Sequence, residues 1–290
     1  MENSELIRKK LSDADNIAYD KNILKTVGFL SLEEQSIYHA LERECKTAEH
    51  FLFGGGEESD RCIAFFLPDY MDVETAEEET IAVIMAAAVS ARYADELTHR
   101  DFLGALMNLG IERELIGDIR VFKPGKEQAA KAAGTDTDPH NNRSGFYTDK
   151  TGRKCEPTAI IYVRADMAEY ISGELTRVRH TDINCTVLSL NEFKETGIGG
   201  MQEFEFLHVN VASERVDAVI AALYRVSRQK AADVINAERV YINGRIAQAA
   251  GKLLKDGDRV SVRGTGKFIY DGVNGTSKKG RLYADIRRFV

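Results

Sequence analysis

The chain has 290 residues, 43% hydrophobic and 29% charged, enough to bury sizeable cores and to form two or three domains. Its longest apolar run, Ile81 to Val89, has nine residues, where a membrane-spanning helix needs roughly 20. The start Met1-Glu2-Asn3-Ser4-Glu5 is polar and acidic and leads into no apolar stretch of secretory type, so a cytoplasmic protein is expected.

The net charge of −7 conceals a division. Of 39 basic and 46 acidic side chains, 16 and 8 lie in residues 213–290, which gives that segment +8 and the remainder −15. A local positive field of this kind suits a polyanion, because exposed charges act only over a Debye length of about 8–10 Å. Four cysteines (Cys45, Cys62, Cys155, Cys185) stand far apart without a C-x-x-C pair. That spacing fits neither a disulfide framework nor a zinc site, and reduced thiols are expected.

Residues 1–47 read as helical, with Ser31 as an N-cap and Glu34 completing a capping box ahead of Ile37, Tyr38 and Leu41. Phe51-Leu52-Phe53 and Cys62 to Leu67 flank Gly54-Gly55-Gly56, a β-hairpin pattern. Ile81 to Ala87 reads as a buried strand. Thr98 and Asp101 then cap a helix whose face is Phe102, Leu103, Leu106 and Leu109, stopped by Gly110.

The stretch 124–156 breaks the periodicity: it holds Pro124 and Pro139, is crowded with Gly, Asp, Asn, Lys and Thr, and lacks Ile, Leu, Val and Met. It reads as a long mobile loop. A strand from Thr158 to Val163 follows, then a helix capped by Asp166 with Glu169 and presenting Met167, Tyr170, Ile171, Leu175 and Val178, then a strand from Ile183 to Leu190. Strand, helix, strand, strand, helix, strand is the order of a split β-α-β unit, with both helices on one face of a mainly antiparallel sheet.

Catalytic patterns are weak throughout. Gly54-Gly55-Gly56 is followed by Glu57-Glu58 where a phosphate loop needs Lys-Ser/Thr, so a hairpin turn is the better reading. Thr196-Gly197-Ile198-Gly199-Gly200 leads into no long helix with a ribose-binding acid. His39, His50, His99, His140, His180 and His208 have no metal-ligand spacing, and Ser144 has no nucleophile elbow. Glu33-Glu34 and Glu77-Glu78-Glu79 read as solvated faces. No cofactor, metal or catalytic residue is expected.

The specific signal lies after residue 212. Val216, Val219, Ile220 and Leu223 form one apolar helix face, and Ala231, Val234 and Ile235 another, so two short helices can pack together. Asn243-Gly244 is the favoured two-residue hairpin turn. Ser227 is a good N-cap, yet Arg228 and Lys230 put positive charge into the first turn, where the helix dipole disfavours it by about 0.3–1 kcal/mol each. Cations beside free helix N–H groups make a phosphate clamp, with RNA backbone as the anion.

Arg215-x-Asp217, Ser227-Arg228-x-x-Ala231, Val240-x-Ile242-Asn243-Gly244 and Gly257 to Gly264 resemble the S4 RNA-binding domain. Upstream, Phe66 to Tyr70, His99 to Leu106 and Gly110-Ile111-x-Arg113, with the ending Thr276-Ser277-Lys278-Lys279-Gly280-Arg281, resemble the YlmH family of bacterial S4 proteins over nearly the whole chain. The loop 124–156 departs from that family, whose members pass this region with a short turn.

The resemblance implies an α+β, multidomain chain. Residues 1–75 would form a helical and hairpin domain and 76–191 an RRM-like split β-α-β domain. Residues 192–212 would be a linker strand region, and 213–290 an S4 (αL-type) RNA-binding domain with a basic extension. It also implies a non-catalytic role on the large ribosomal subunit, on rRNA near peptidyl-tRNA, in rescue of stalled translation. Neither membrane nor DNA would be a partner, and a monomer is expected. The RNA-binding residues implied are Arg215, Ser227, Arg228, Gln229, Lys230, Arg239, Asn243, Arg245, Arg259, Arg263, Lys267, Lys278, Lys279 and Arg281. The central domain lacks the Lys/Arg-Gly-Phe-Gly-Phe type segment that stacks bases. Two other readings stay open: an S4-containing RNA-modifying enzyme of pseudouridine synthase or methyltransferase type, and a protein-interaction module linked to cell division.

Overall fold

The structure is a computed structural model that describes residues 2–56, 59–90, 94–122, 147–148, 152, 154–198, 204–277 and 280–289. The chain forms two compact units, Met1–Met201 and Gln202–Val290.

The first unit opens with helix α1 (Glu2–Lys21), strand β1 (Lys25–Leu30), helix α2 (Leu32–Leu41) and the hairpin β2 (His50–Phe53) with β3 (Cys62–Phe66). Ser31 and Glu34 form the expected capping box, Glu34 accepting from the Ser31 N–H at 2.7 Å. β1 corrects the all-helical reading of residues 1–47. Asn22 turns left-handed (φ 51°) and ends α1, and β1 then pairs antiparallel with β3 in the sheet order β1-β3-β2. Gly28 is required in β1, because a Cβ there would lie 2.6 Å from the Glu114 carbonyl oxygen.

Next come α3 (Val73–Thr80), β4 (Ile81–Ala88), α4 (His99–Asn108), β5 (Ile116–Val121), β6 (Tyr147–Thr148), β7 (Lys154–Cys155), β8 (Ala159–Arg164), α5 (Ala168–Glu174), β9 (Arg177–Val178), β10 (Thr181–Ser189) and α6 (Leu190–Glu195). The sheet order β5-β8-β4-β10-β9, all antiparallel, is the split β-α-β arrangement. Thr98 and Asp101 cap α4 as expected, the carboxylate accepting from the Thr98 N–H at 2.9 Å. Asp166 does not cap α5. Arg164 holds its carboxylate at 3.0 and 3.3 Å, and the helix starts two residues later, at Ala168.

The reading of 124–156 as a loop without secondary structure is corrected at its C-terminal end. β6 and β7 pair there, and Tyr147 is 4% exposed, its hydroxyl donating to the Met85 carbonyl at 3.4 Å. Most of the remaining stretch lies outside the described residues.

One face of the five-stranded sheet packs on α4 and α5 through Phe102, Leu106 and Ile171. The other face carries Val83, Met85, Ile160 and Tyr162, and is covered by Phe29 and Phe65 of the small sheet, Leu190 and Phe193 of α6, and Tyr147. Gly55 (φ 95°) lies against Tyr162, whose ring a Cβ would meet at 2.2 Å.

The second unit holds β11 (Phe204–Val211), α7 (Val216–Leu223), α8 (Arg228–Asn236), β12 (Val240–Ile242), β13 (Arg245–Ile246), β14 (Asp258–Val262), β15 (Gly266–Thr276) and β16 (Leu282–Phe289). Its antiparallel sheet runs β11-β16-β15-β14-β12-β13. β11, within the stretch 192–212, is thus an edge strand of this sheet. Val219 and Ile220 of α7 and Ala231 and Ile235 of α8 pack with Val260, Phe268 and Ile286 of the sheet into one core.

Candidate nucleic-acid interface

The centre of the interface is a carboxylate. Asp217, in the first turn of α7, is 5% exposed, and both Arg215 and Arg228 converge on it. Arg215 donates through Nε and Nη2 at 3.1 Å each, and Arg228 through Nη2 at 3.1 and 2.9 Å. Burial alone would push the Asp217 carboxyl up; the hydrogen bonds and charges of the two guanidiniums outweigh it and hold the carboxyl below its ordinary value.

This geometry explains how α8 tolerates Arg228 in its first turn. The Asp217 carboxylate offsets the unfavourable dipole, and it fixes two guanidiniums that are 42% and 51% exposed. Two cations around one anion leave a net positive charge with N–H donors facing solvent, a preorganised receptor for phosphate oxygens. Ser227 caps α8, its Oγ accepting from the Lys230 N–H at 3.1 Å, and Lys230 is exposed beside it. Gln229 sits on the same turn and donates to Asp233 at 2.9 Å.

The other expected residues are dispersed. Asn243 (φ 51°) and Gly244 (φ 75°) form the hairpin turn between β12 and β13. The Asn243 side chain is engaged within the fold: its Nδ2 donates to Asp258 and its Oδ1 accepts from the Arg259 N–H, both at 2.8 Å. Arg239 donates to the Arg263 carbonyl at 2.9 Å, and the Arg263 N–H returns a bond to Arg239 at 2.8 Å, which ties the start of β12 to the end of β14.

Along β14 the residues Val260 and Val262 face the core, so Arg259 projects from the face of the sheet opposite the helices. Lys267 is on that second face too, its ammonium 4.5 Å from the centre of the Phe289 ring. Arg245 is exposed on β13 at the far edge, and Arg281 precedes β16 and donates to the Asn210 carbonyl at 3.0 Å. Lys278 and Lys279 lie outside the described residues. The structure therefore gathers Arg215, Ser227, Arg228, Gln229 and Lys230 on the helix side and places Arg259 and Lys267 behind the sheet.

Three residues escape the sequence reading. Asp217 is visible in Arg-x-Asp, but its role depends on α8 packing against α7. Arg225 lies in the link between α7 and α8, and Arg288 of β16 comes near the helix pair through the fold. The converse holds for Arg113, part of the upstream motif. Its guanidinium is half-buried and donates to the Ile116 and Gly117 carbonyls at 2.5 and 3.3 Å, a structural lock at the start of β5, and desolvation lowers its pKa to about 10.

The covered sheet face in the first unit bears on RNA recognition as well. An RRM stacks bases on the outer face of its sheet; here Phe65, Phe193 and Tyr147 occupy that face.

Comparison with known proteins gives matches in both units. Residues 214–260 match the S4 domain, and residues 77–131 match the family described as "Putative RNA-binding domain in YlmH". A curated relative, "Ribosome-associated protein quality control protein P2" of Bacillus subtilis (strain 168), is 25% identical over 275 residues, covering 94% of this chain and 90% of its own. A solved structure, "Cell division protein ylmH from Streptococcus pneumoniae", is 19% identical with a TM-score of 0.42, covering 66% of this chain and 93% of that one. The helix pair with its hairpin turn lies inside the segment that matches the S4 domain. The second matched segment lies upstream of it, so the chain is similar to the YlmH proteins in both segments.

Proposed function

We propose that this protein binds the large ribosomal subunit through its C-terminal unit, on rRNA near peptidyl-tRNA, and acts without catalysis in quality control of stalled translation. The observation that carries RNA binding is the pair of half-exposed guanidiniums fixed on buried Asp217 beside Lys230. The ribosomal role is drawn from the name of the Bacillus subtilis relative, which aligns over nearly the full length of both chains.

In this reading Arg215, Arg228 and Lys230 grip the RNA backbone, Ser227 and Gln229 hold the turn that presents them, and Arg239, Arg245 and Arg263 extend the contact along the hairpin edge. Asn243 shapes that edge. Arg259, Lys267, Lys278, Lys279 and Arg281 add attraction at longer range. The first unit, acidic and with its sheet face covered, faces protein or tRNA partners.

Sedimentation of the intact protein with purified ribosomal subunits at near-physiological salt tests the reading. Comigration with the large subunit, abolished by RNase digestion, is the expected result. Migration with neither subunit would remove the ribosomal role. Tritium release from uridine-labelled RNA, or methyl transfer from a labelled donor, would overturn the non-enzymatic one.

A further inference from the structure

A groove of about 830 Å³ lies within the C-terminal unit between α7 and the edge strand β11, and four arginines line it: Arg225, Arg228, Arg281 and Arg288. Among its described lining residues the carboxylate is Glu205, which Arg288 engages across the β11–β16 pair. The described lining is therefore net positive, with Arg225 and Arg281 beyond the two paired arginines, and Arg228 belongs both to the groove and to the clamp on Asp217.

We propose that this groove is a second phosphate-binding track, which takes the backbone of an RNA strand onward from the clamp. The proposal rests on the reading of the C-terminal unit as RNA-binding and adds a path and new residues to it.

Three observations carry it. Arg225 is exposed, in the link between α7 and α8, with φ at 53°, a backbone that glycine adopts at no steric cost and arginine rarely does. Among the described residues its guanidinium has no hydrogen-bond or ion-pair partner, and a ligand in the groove would use it. Arg281 spends one guanidinium nitrogen on the Asn210 carbonyl, and among the described residues its other guanidinium donors remain for a ligand. One wall is made of small side chains, Ala218, Ala221 and Ala222, which lets a sugar-phosphate chain approach the guanidiniums closely. Planar guanidinium forks match phosphate oxygens, and continuity through Arg228 favours RNA over an acidic protein as occupant.

The test is the affinity of the full-length protein for a fluorescein-labelled oligouridylate, whose bases stack weakly, across a salt series. Arg225→Glu is expected to weaken binding and to lower the slope of log affinity against log salt by about 0.7, the change for one single-strand phosphate that is no longer neutralised. Arg225→Lys should keep the slope near the wild-type value, which separates loss of charge from loss of fold, and Glu205→Gln should tighten binding. If Arg225→Glu binds as the wild type does while Arg228→Ala with Lys230→Ala does not, the groove proposal falls and the clamp stands. If neither variant differs from wild type, both fall. Displacement of the RNA by polyglutamate as effectively as by unlabelled oligouridylate at equal charge would assign the groove to an acidic protein and overturn the proposal.

Discussion

Arg228, the first residue of α8, reaches back to Asp217 in the first turn of α7 and donates to both carboxylate oxygens, at 3.1 and 2.9 Å. The bond pair joins the two helices and orients the cation that the RNA-binding reading needs most. Asp217 therefore has a structural and a functional consequence, and they can be measured separately.

Replacing Asp217 by Asn leaves two guanidiniums without their carboxylate. Breaking a buried pair costs about 3–5 kcal/mol. Here both arginines are about half exposed and water compensates in part, so a loss of about 1–3 kcal/mol is expected. Urea unfolding of the C-terminal transition reads it. RNA affinity should fall as well, because the guanidiniums lose their fixed orientation.

The same carboxylate gives a pH dependence with a definite sign. Its folded-state pKa lies below the ordinary value of 3.8. Its contribution to stability is complete above that value and disappears as pH falls through the lower folded-state pKa. The gap in urea midpoint between the wild type and Asp217→Asn should hold constant from neutral pH down to about 5 and close on further acidification. A gap that widens in acid would contradict the assignment.

Tyr147 tests the order found at the end of the stretch expected to be a loop. It is 4% exposed and packs with Met85, Ile160 and Tyr162 on the sheet face. Tyr147→Ala should cost about 3–5 kcal/mol in the unfolding of the first unit, as for other large-to-small changes in a core. A cost under about 0.5 kcal/mol would mean that the segment is not held there.

Legibility follows locality. The Ser31–Glu34 box, the Asn243-Gly244 turn and the α4 cap each depend on neighbours within a few residues, and each is where the sequence puts it. β1 is hidden in the sequence because its pairing partner, β3, lies some forty residues downstream and its glycine suits a contact with Glu114. Asp166 has the look of a cap, but the preceding residue that takes its carboxylate, Arg164, belongs to a strand. The site divides in the same way. Ser227, Arg228 and Lys230 share one helical turn and can be read together, whereas the separation of Arg259 and Lys267 onto the far face follows from strand alternation and register.

The thiols give an independent check on burial. Desolvation pushes the Cys185 thiol up to about 12, and desolvation together with Asp15, Glu42 and Glu44 pushes Cys45 up to about 11. Both should resist alkylation by iodoacetamide near pH 8 in the folded protein and react on unfolding, as peptide mapping would show. Rapid native labelling of Cys185 would contradict the packing of α5 on β10.

The central claim is that RNA is held by phosphate contacts from the start of α8. Its most direct test is the salt dependence of binding to a large-subunit rRNA fragment, for the wild type and for Arg228→Ala with Lys230→Ala. The slope of log affinity against log salt should fall by about 0.7–0.9 for each phosphate that the variant no longer neutralises, with affinity reduced across unrelated RNA sequences alike. An unchanged slope would mean that the clamp on Asp217 does not touch RNA.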